Sequence, residues 1–176
     1  WLVFGGSWGA ALALAYGIRH PDRCTGFVLR GVFLGRPEEG DWFLHGMGRF
    51  FPQARRDFIG PIPESERGDL LGAYLRRLTD PDPRVHLPAA HAWMAYETSC
   101  STLRPGGAGA QPPRSSANHG ALSLARISAH YFANGFFLSR TPILGSLAPI
   151  LHLPAVIVQG RYDMVCPPVT ADTLAT

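Results

Sequence analysis

The feature that most constrains this chain is Gly5-Gly6-Ser7-Trp8-Gly9, a G-x-S-x-G pentapeptide between an apolar run and a small-residue helix. Trp1 to Phe4 is apolar and ended by glycine, so residues 1–5 read as a buried strand. Residues 8–19 carry Ala10, Ala11, Ala13 and Ala15 with Leu12 and Leu14, and such small side chains let a helix lie close to a sheet. His20-Pro21 ends that helix, because the residue before a proline avoids the helical region. Thr25 to Val32 reads as a second buried strand. Strand, tight turn, helix and strand make a βαβ unit, which implies a parallel sheet with a right-handed crossover.

The pentapeptide has a chemical reading. A nucleophilic serine must stand clear of a sheet, and a sharp strand-to-helix turn presents it there. Flanking glycines let strand and helix pass without side-chain clash. Ser7 would then lie at a helix N-terminus, where unpaired N–H groups and the helix dipole favour negative charge. The N–H of Trp8 is the candidate oxyanion donor, a type of contact worth about 3–4 kcal/mol to a transition state. A plain glycine-rich turn is the alternative for the pentapeptide alone; the strand before it and the helix after it favour the nucleophile.

A serine of this kind needs a later acid and a still later histidine. Ala155 to Gln159 reads as another buried strand, followed by Gly160-Arg161-Tyr162-Asp163. Asp163 is the candidate acid, whose role would be to hold an imidazole in the right tautomer and stabilise its cation. No histidine lies beyond His152, which precedes that strand, and His91, His119 and His130 fall in the middle of the chain, where they read as structural. Without a base a serine hydroxyl is a weak nucleophile. The expectation is that the chain is a fragment with little turnover alone, and its start on an apolar strand reads as cut.

Between the two strand regions the character changes. Residues 36–150 mix prolines, arginines and aromatics with helical patterns at Asp69 to Leu78 and Leu87 to Tyr96. Residues 104–118 are rich in glycine, proline and serine and read as a loop. The organisation expected is a core at 1–35, a helical cap at 36–150 and a return to the core at 151–176. The order of elements is that of a capped α/β-hydrolase fold, with a mostly parallel sheet incomplete here. Composition excludes other classes. The net charge is +3, and the arginines are scattered rather than clustered with aromatics, so nucleic acid is not an expected partner. No apolar run reaches about twenty residues, so no membrane span is expected. Three cysteines, Cys24, Cys100 and Cys166, have no paired spacing, which points away from a disulfide framework or zinc site and towards a reducing cytoplasm.

With Ser7 and Asp163 placed, a wider likeness emerges. Residues 1–24 resemble the nucleophile region of prolyl aminopeptidases, and Leu29–Phe33, Gly48–Pro52, Ala89–Glu97, Ala125–Phe132 and Gly160–Pro167 resemble further blocks of that family in the same order. The resemblance implies a capped serine peptidase that releases N-terminal proline from short peptides, with no metal or cofactor. It implies that Glu97 binds the substrate ammonium and that Phe33, Phe43 and Cys166 line the pocket for the proline ring, with Arg30 close by. A carboxylate suits a cation and aromatic walls suit a pyrrolidine ring. Two positions depart from the family. Ser128 stands where a second amine-binding glutamate is usual, and losing a charged hydrogen bond of about 1.5–3 kcal/mol predicts weaker ammonium binding. Phe43 stands where tyrosine is frequent. Two other readings compete: a capped hydrolase of esters or amides without a free amine, which Ser128 favours, and a truncated, non-enzymatic product.

Overall fold

The computed structural model describes residues 1–102 and 117–176. Most of the 104–118 loop predicted above therefore lies outside the described residues. The chain divides into two compact units, residues 1–40 with 135–176 and residues 41–134.

The first unit is a three-stranded parallel sheet in the order β1-β2-β3. Strand β1 spans Leu2–Ser7, helix α1 Trp8–Arg19, β2 Gly26–Val32 and β3 Ala155–Val158. The short helix α2 covers Pro37–Asp41, and α7 covers Pro168–Ala175. Pairing is in register, with Val3 beside Phe27 and Gly5 beside Leu29 on one side, and Leu29 beside Ile157 on the other. Side chains alternate between faces along a strand, so Val3, Phe27, Leu29 and Ile157 share a face. Ala10, Ala11, Ala13 and Leu14 of α1 pack in one cluster with them, joined by Ile143, Ile150 and Ala171. The alanines explain why α1 lies so close, as their short side chains put the helix backbone near the strands.

The opposite face corrects the sequence reading of residues 1–5 and 155–159 as buried strands. Leu2 is 67% exposed, Phe4 70%, Val156 58% and Val158 53%. Their apolar character is that of strands covered on both sides, the usual state of parallel sheets. In the described structure only the α1 face is covered, and β1 and β3 each pair with β2 alone.

The limits of the first unit also differ from the expected cap boundaries at 36 and 150. The Glu39 carboxylate, buried in this unit, accepts from the N–H groups of Leu34 and Arg36, which folds residues 34–39 on themselves just after β2. Phe136, Ile143 and Ile150 are likewise buried within it.

The second unit is helical: α3 (Pro52–Ile59), α4 (Leu70–Thr79), α5 (Pro83–Ser101) and α6 (Ala117–Ala133). Asp69 caps α4 by accepting from Gly72 N–H, and Asp82 caps α5 by accepting from Arg84 N–H, as short polar side chains do at helix starts. Its centre is aromatic. Phe58 stacks on Tyr74 at 4.5 Å and on Tyr96 at 4.4 Å, and Trp93 meets both Phe58 and Tyr74 edge-on. Arg126 of α6 donates from Nε to the carbonyl of Leu78 at 2.6 Å, tying α6 to the end of α4.

The bare apolar sheet face generates a prediction. The isolated 176-residue chain should bind 8-anilinonaphthalene-1-sulfonate strongly and self-associate, because contiguous exposed apolar surface drives association. A monomeric chain with no dye binding and a sharp, high-temperature calorimetric melt would contradict this.

Candidate active site

Ser7 ends β1 and precedes α1, with φ 54° and ψ −124°. That backbone region is costly for a residue with a Cβ, at about 1–3 kcal/mol, and persists only where the surroundings impose it. Here the imposing contact is the approach of strand to helix. A Cβ on Gly5 would lie 2.1 Å from the carbonyl oxygen of Gly9 and 2.9 Å from the nitrogen of Ala10. Ser7 is exposed, and its hydroxyl makes no capping hydrogen bond to the helix it precedes. The side chain is therefore presented to solvent beside the first-turn N–H groups of α1, of which Trp8 supplies the first.

Asp163 follows β3 and is half-buried. Its Oδ1 accepts from the backbone N–H of Cys166 at 2.8 Å and of Val165 at 3.2 Å. Gln159 donates from Nε2 to Asp163 Oδ2 at 3.5 Å and to the Cys166 carbonyl at 2.8 Å, and its Oε1 accepts from Val32 N–H at 2.9 Å. Gly31, at φ 51°, lies under Asp163: a Cβ there would stand 3.3 Å from Asp163 Oδ2. The Asp163 loop meets Ser7 through Cys166, whose Sγ lies 3.8 Å from Ser7 Oγ. Burial, and then the negative charge of Asp163, push the Cys166 thiol up to about 12, so it stays protonated.

Four further side chains border the turn. The Arg30 guanidinium lies over Gly6, with Nε and Nη2 each 3.1 Å from where a Gly6 Cβ would be. Trp8, Phe33 and Phe136 form an aromatic triad, with Phe33 and Phe136 centroids 5.0 Å apart and Trp8 about equally near both at 6.2 and 6.0 Å. Phe136 sits at φ 56° and Phe137 at φ 59°, after Gly135 at φ 53°. Sequence reasoning missed Gln159 and Phe136. The polar residue closing an otherwise apolar β3 run, and the Asn134-Gly135 pair before two phenylalanines, were the available signals.

Ser7, Trp8, Arg30, Phe33, Asp163 and Cys166 thus belong to the first unit, and Glu97 and Phe43 to the second. The Phe43 ring is buried against Trp93, Tyr96 and Phe132. Glu97, on α5, has no hydrogen-bond or ion-pair partner for its carboxylate among the described residues, and burial raises its pKa above the usual 4.5. Ser128 lies on α6. Of the seven histidines, His20 follows α1 and His152 precedes β3. Both therefore lie at the N-terminal ends of the strands, whereas Ser7 and Asp163 lie at the C-terminal ends. Among the described residues no cluster of three or more His, Cys, Asp or Glu could hold a metal ion, and no helix is long and apolar enough to cross a membrane.

Residues 1–175 match the family profile described as the alpha/beta hydrolase fold. The chain belongs to that family. This α/β-hydrolase chain is 46% identical over 176 residues to a protein from Leptolyngbya boryana named probable proline iminopeptidase, covering 97% of the chain and 53% of the relative. It is 46% identical over 174 residues to the proline iminopeptidase of Arabidopsis thaliana, covering 97% of the chain and 45% of the relative. It is 42% identical over 170 residues to that of Neisseria gonorrhoeae, with 95% and 53% covered. The chain spans about half the length of the curated relatives it matches.

The two motif glycines should behave differently in this α/β hydrolase. Gly5→Ala forces a methyl into the Gly9 backbone and should destabilise by about 1–3 kcal/mol or more, as overpacking does. A Cβ at Gly9 meets nothing within 4 Å. Gly9→Ala should leave stability unchanged or raise it by up to about 1 kcal/mol, the helix preference of alanine. Urea denaturation of the two variants checks the contrast; equal midpoints would refute the close-approach account.

Proposed function

We propose that this chain carries the nucleophile and the acid of a serine exopeptidase that releases N-terminal proline from short peptides through an acyl-enzyme. The observation that carries the reading is Ser7: exposed, held at φ 54°, and 3.8 Å from the thiol of a loop whose amides grip Asp163. In the proposed mechanism Ser7 Oγ attacks the scissile carbonyl and the Trp8 N–H stabilises the resulting oxyanion. Asp163 orients an imidazole that takes the serine proton and returns it to the leaving amine. No histidine of the first unit lies at the same strand ends as Ser7, so we assign the base to a histidine outside these 176 residues. Arg30, Phe33 and Cys166 would border the proline ring; the Phe43 ring is buried among Trp93, Tyr96 and Phe132 of the second unit. Names of the relatives support the substrate class.

Glu97 is assigned the substrate ammonium. A carboxylate with no cationic partner among the described residues is suited to a ligand's positive charge. A second reading, hydrolysis of esters or amides without a free amine, is favoured by Ser128, which supplies no second carboxylate.

The deciding assay compares prolyl and alanyl arylamides with short acyl esters, using the full-length gene product. Prolyl arylamide cleavage should dominate, and Ser7→Ala should lower kcat by about four orders of magnitude or more. Ester cleavage without prolyl arylamide cleavage would transfer the assignment to the second reading.

A pH dependence follows from Glu97. Its pKa is raised in the folded protein, so protonation on acidification begins above the ordinary 4.5. Only the ionised form attracts an ammonium. KM for prolyl substrates should therefore rise as pH falls through that raised value, and Glu97→Gln should give a high KM without this dependence. A wild-type KM flat with pH from 7 to 4.5 would remove Glu97 from the role.

A further inference from the structure

We infer that Gln159 is a positioning residue for the acid, a splint that joins the acid loop to the end of β2 and leaves Asp163 Oδ2 as the oxygen that meets the base. The inference rests on the serine-hydrolase reading above. The β2–β3 ladder ends at Arg30 beside Val158, so β3 offers no backbone partner to the buried Val32. The Gln159 side chain takes over that role, its Oε1 accepting from Val32 N–H at 2.9 Å. The other end of the same carboxamide donates to the Cys166 carbonyl at 2.8 Å. A single planar group thus fixes the distance between the strand that follows the nucleophile's own and the loop that bears the acid.

The two oxygens of Asp163 are consequently unequal. Oδ1 accepts two backbone N–H groups, from Val165 and Cys166. Among the described residues, Oδ2 has only the long 3.5 Å contact with Gln159 Nε2. Gly31 keeps a side chain away from Oδ2, since a Cβ there would come within 3.3 Å of it. A carboxylate orienting an imidazole needs one oxygen anchored and the other available, and this arrangement supplies both.

The other charged or titratable groups acting on this loop are Cys166 itself, Glu39 and Arg30. They are common to all the variants below, so a difference between variants belongs to position 159. Gln159→Met keeps the volume and removes both hydrogen-bonding ends. Gln159→Glu keeps an acceptor for Val32 N–H but sets a carboxylate oxygen against the Cys166 carbonyl and Asp163 Oδ2.

The test uses the full-length gene product, following kcat and KM on a prolyl arylamide across pH and the rate at which a fluorophosphonate labels Ser7. Gln159→Met should lower kcat and the labelling rate by about 10-fold with KM near wild type, and should also lower the melting temperature, because the buried Val32 N–H loses its acceptor. Gln159→Glu should shift the acidic limb of the kcat/KM profile to higher pH, because added negative charge beside the acid stabilises the imidazolium. Variants with wild-type kcat and superimposable pH profiles, alongside an inactive Ser7→Ala, would overturn the splint while leaving the hydrolase reading intact. The same holds if Gln159→Met does not fold and Gln159→Glu has an unshifted profile. A wild-type protein that neither labels at Ser7 nor cleaves the arylamide would overturn both.

Discussion

The contact between Gly5 and the first turn of α1 is the constraint on which the site depends. Two backbones meet at a distance that admits no Cβ, and the chain reverses between them within two residues. The reversal leaves Ser7 in a conformation that no side chain adopts freely, and its cost is met by burial of the alanine face of α1 against Val3, Phe27 and Leu29. The small residues of α1 thus set the geometry of Ser7. A bulkier helix would stand further from the sheet, and the turn would have no reason to remain tight.

Asp163 is held by a different principle. Ser7 is fixed by packing, whereas Asp163 is fixed by hydrogen bonds from its own loop and from Gln159. That loop returns after more than a hundred residues, many of them in the helical unit, to pair β3 with β2. Parallel pairing makes this economical: strand ends of the same polarity fall side by side, so a residue after β3 arrives near a residue after β1 whatever the length of the insertion.

Much of this was legible in the sequence. The apolar run, the pentapeptide, the alanine-rich helix and its proline stop gave β1, Ser7 and α1, and the Ala155–Val158 run followed by Asp163 gave the acid strand. Periodicity also located α4 and α5, whereas the role of Asp69 as the cap of the former is seen only in the structure. Other parts were not legible for physical reasons. An apolar strand reads the same whether its second face is covered or bare, so the exposure of Phe4 and Val156 had no signature. Phe43 and Phe33 are the same residue type, and only coordinates separate a ring in an aromatic core from one beside the nucleophile turn. Gln159 acts through two side-chain hydrogen bonds to residues distant in sequence, which no local pattern encodes.

The Cys166 thiol, 3.8 Å from the Ser7 hydroxyl, has a chemical consequence of its own. Sulfur is intrinsically the stronger attacking atom, but only as thiolate, and burial beside a carboxylate denies it that form. Of the two atoms almost in contact, the sulfur is therefore held in its non-nucleophilic form. The same suppression shields the sulfur from peroxide, since oxidation to sulfenic acid also begins from the thiolate. A neutral, polarisable atom is left in a place where a hydroxyl would demand a hydrogen-bond partner and a methyl would leave a gap.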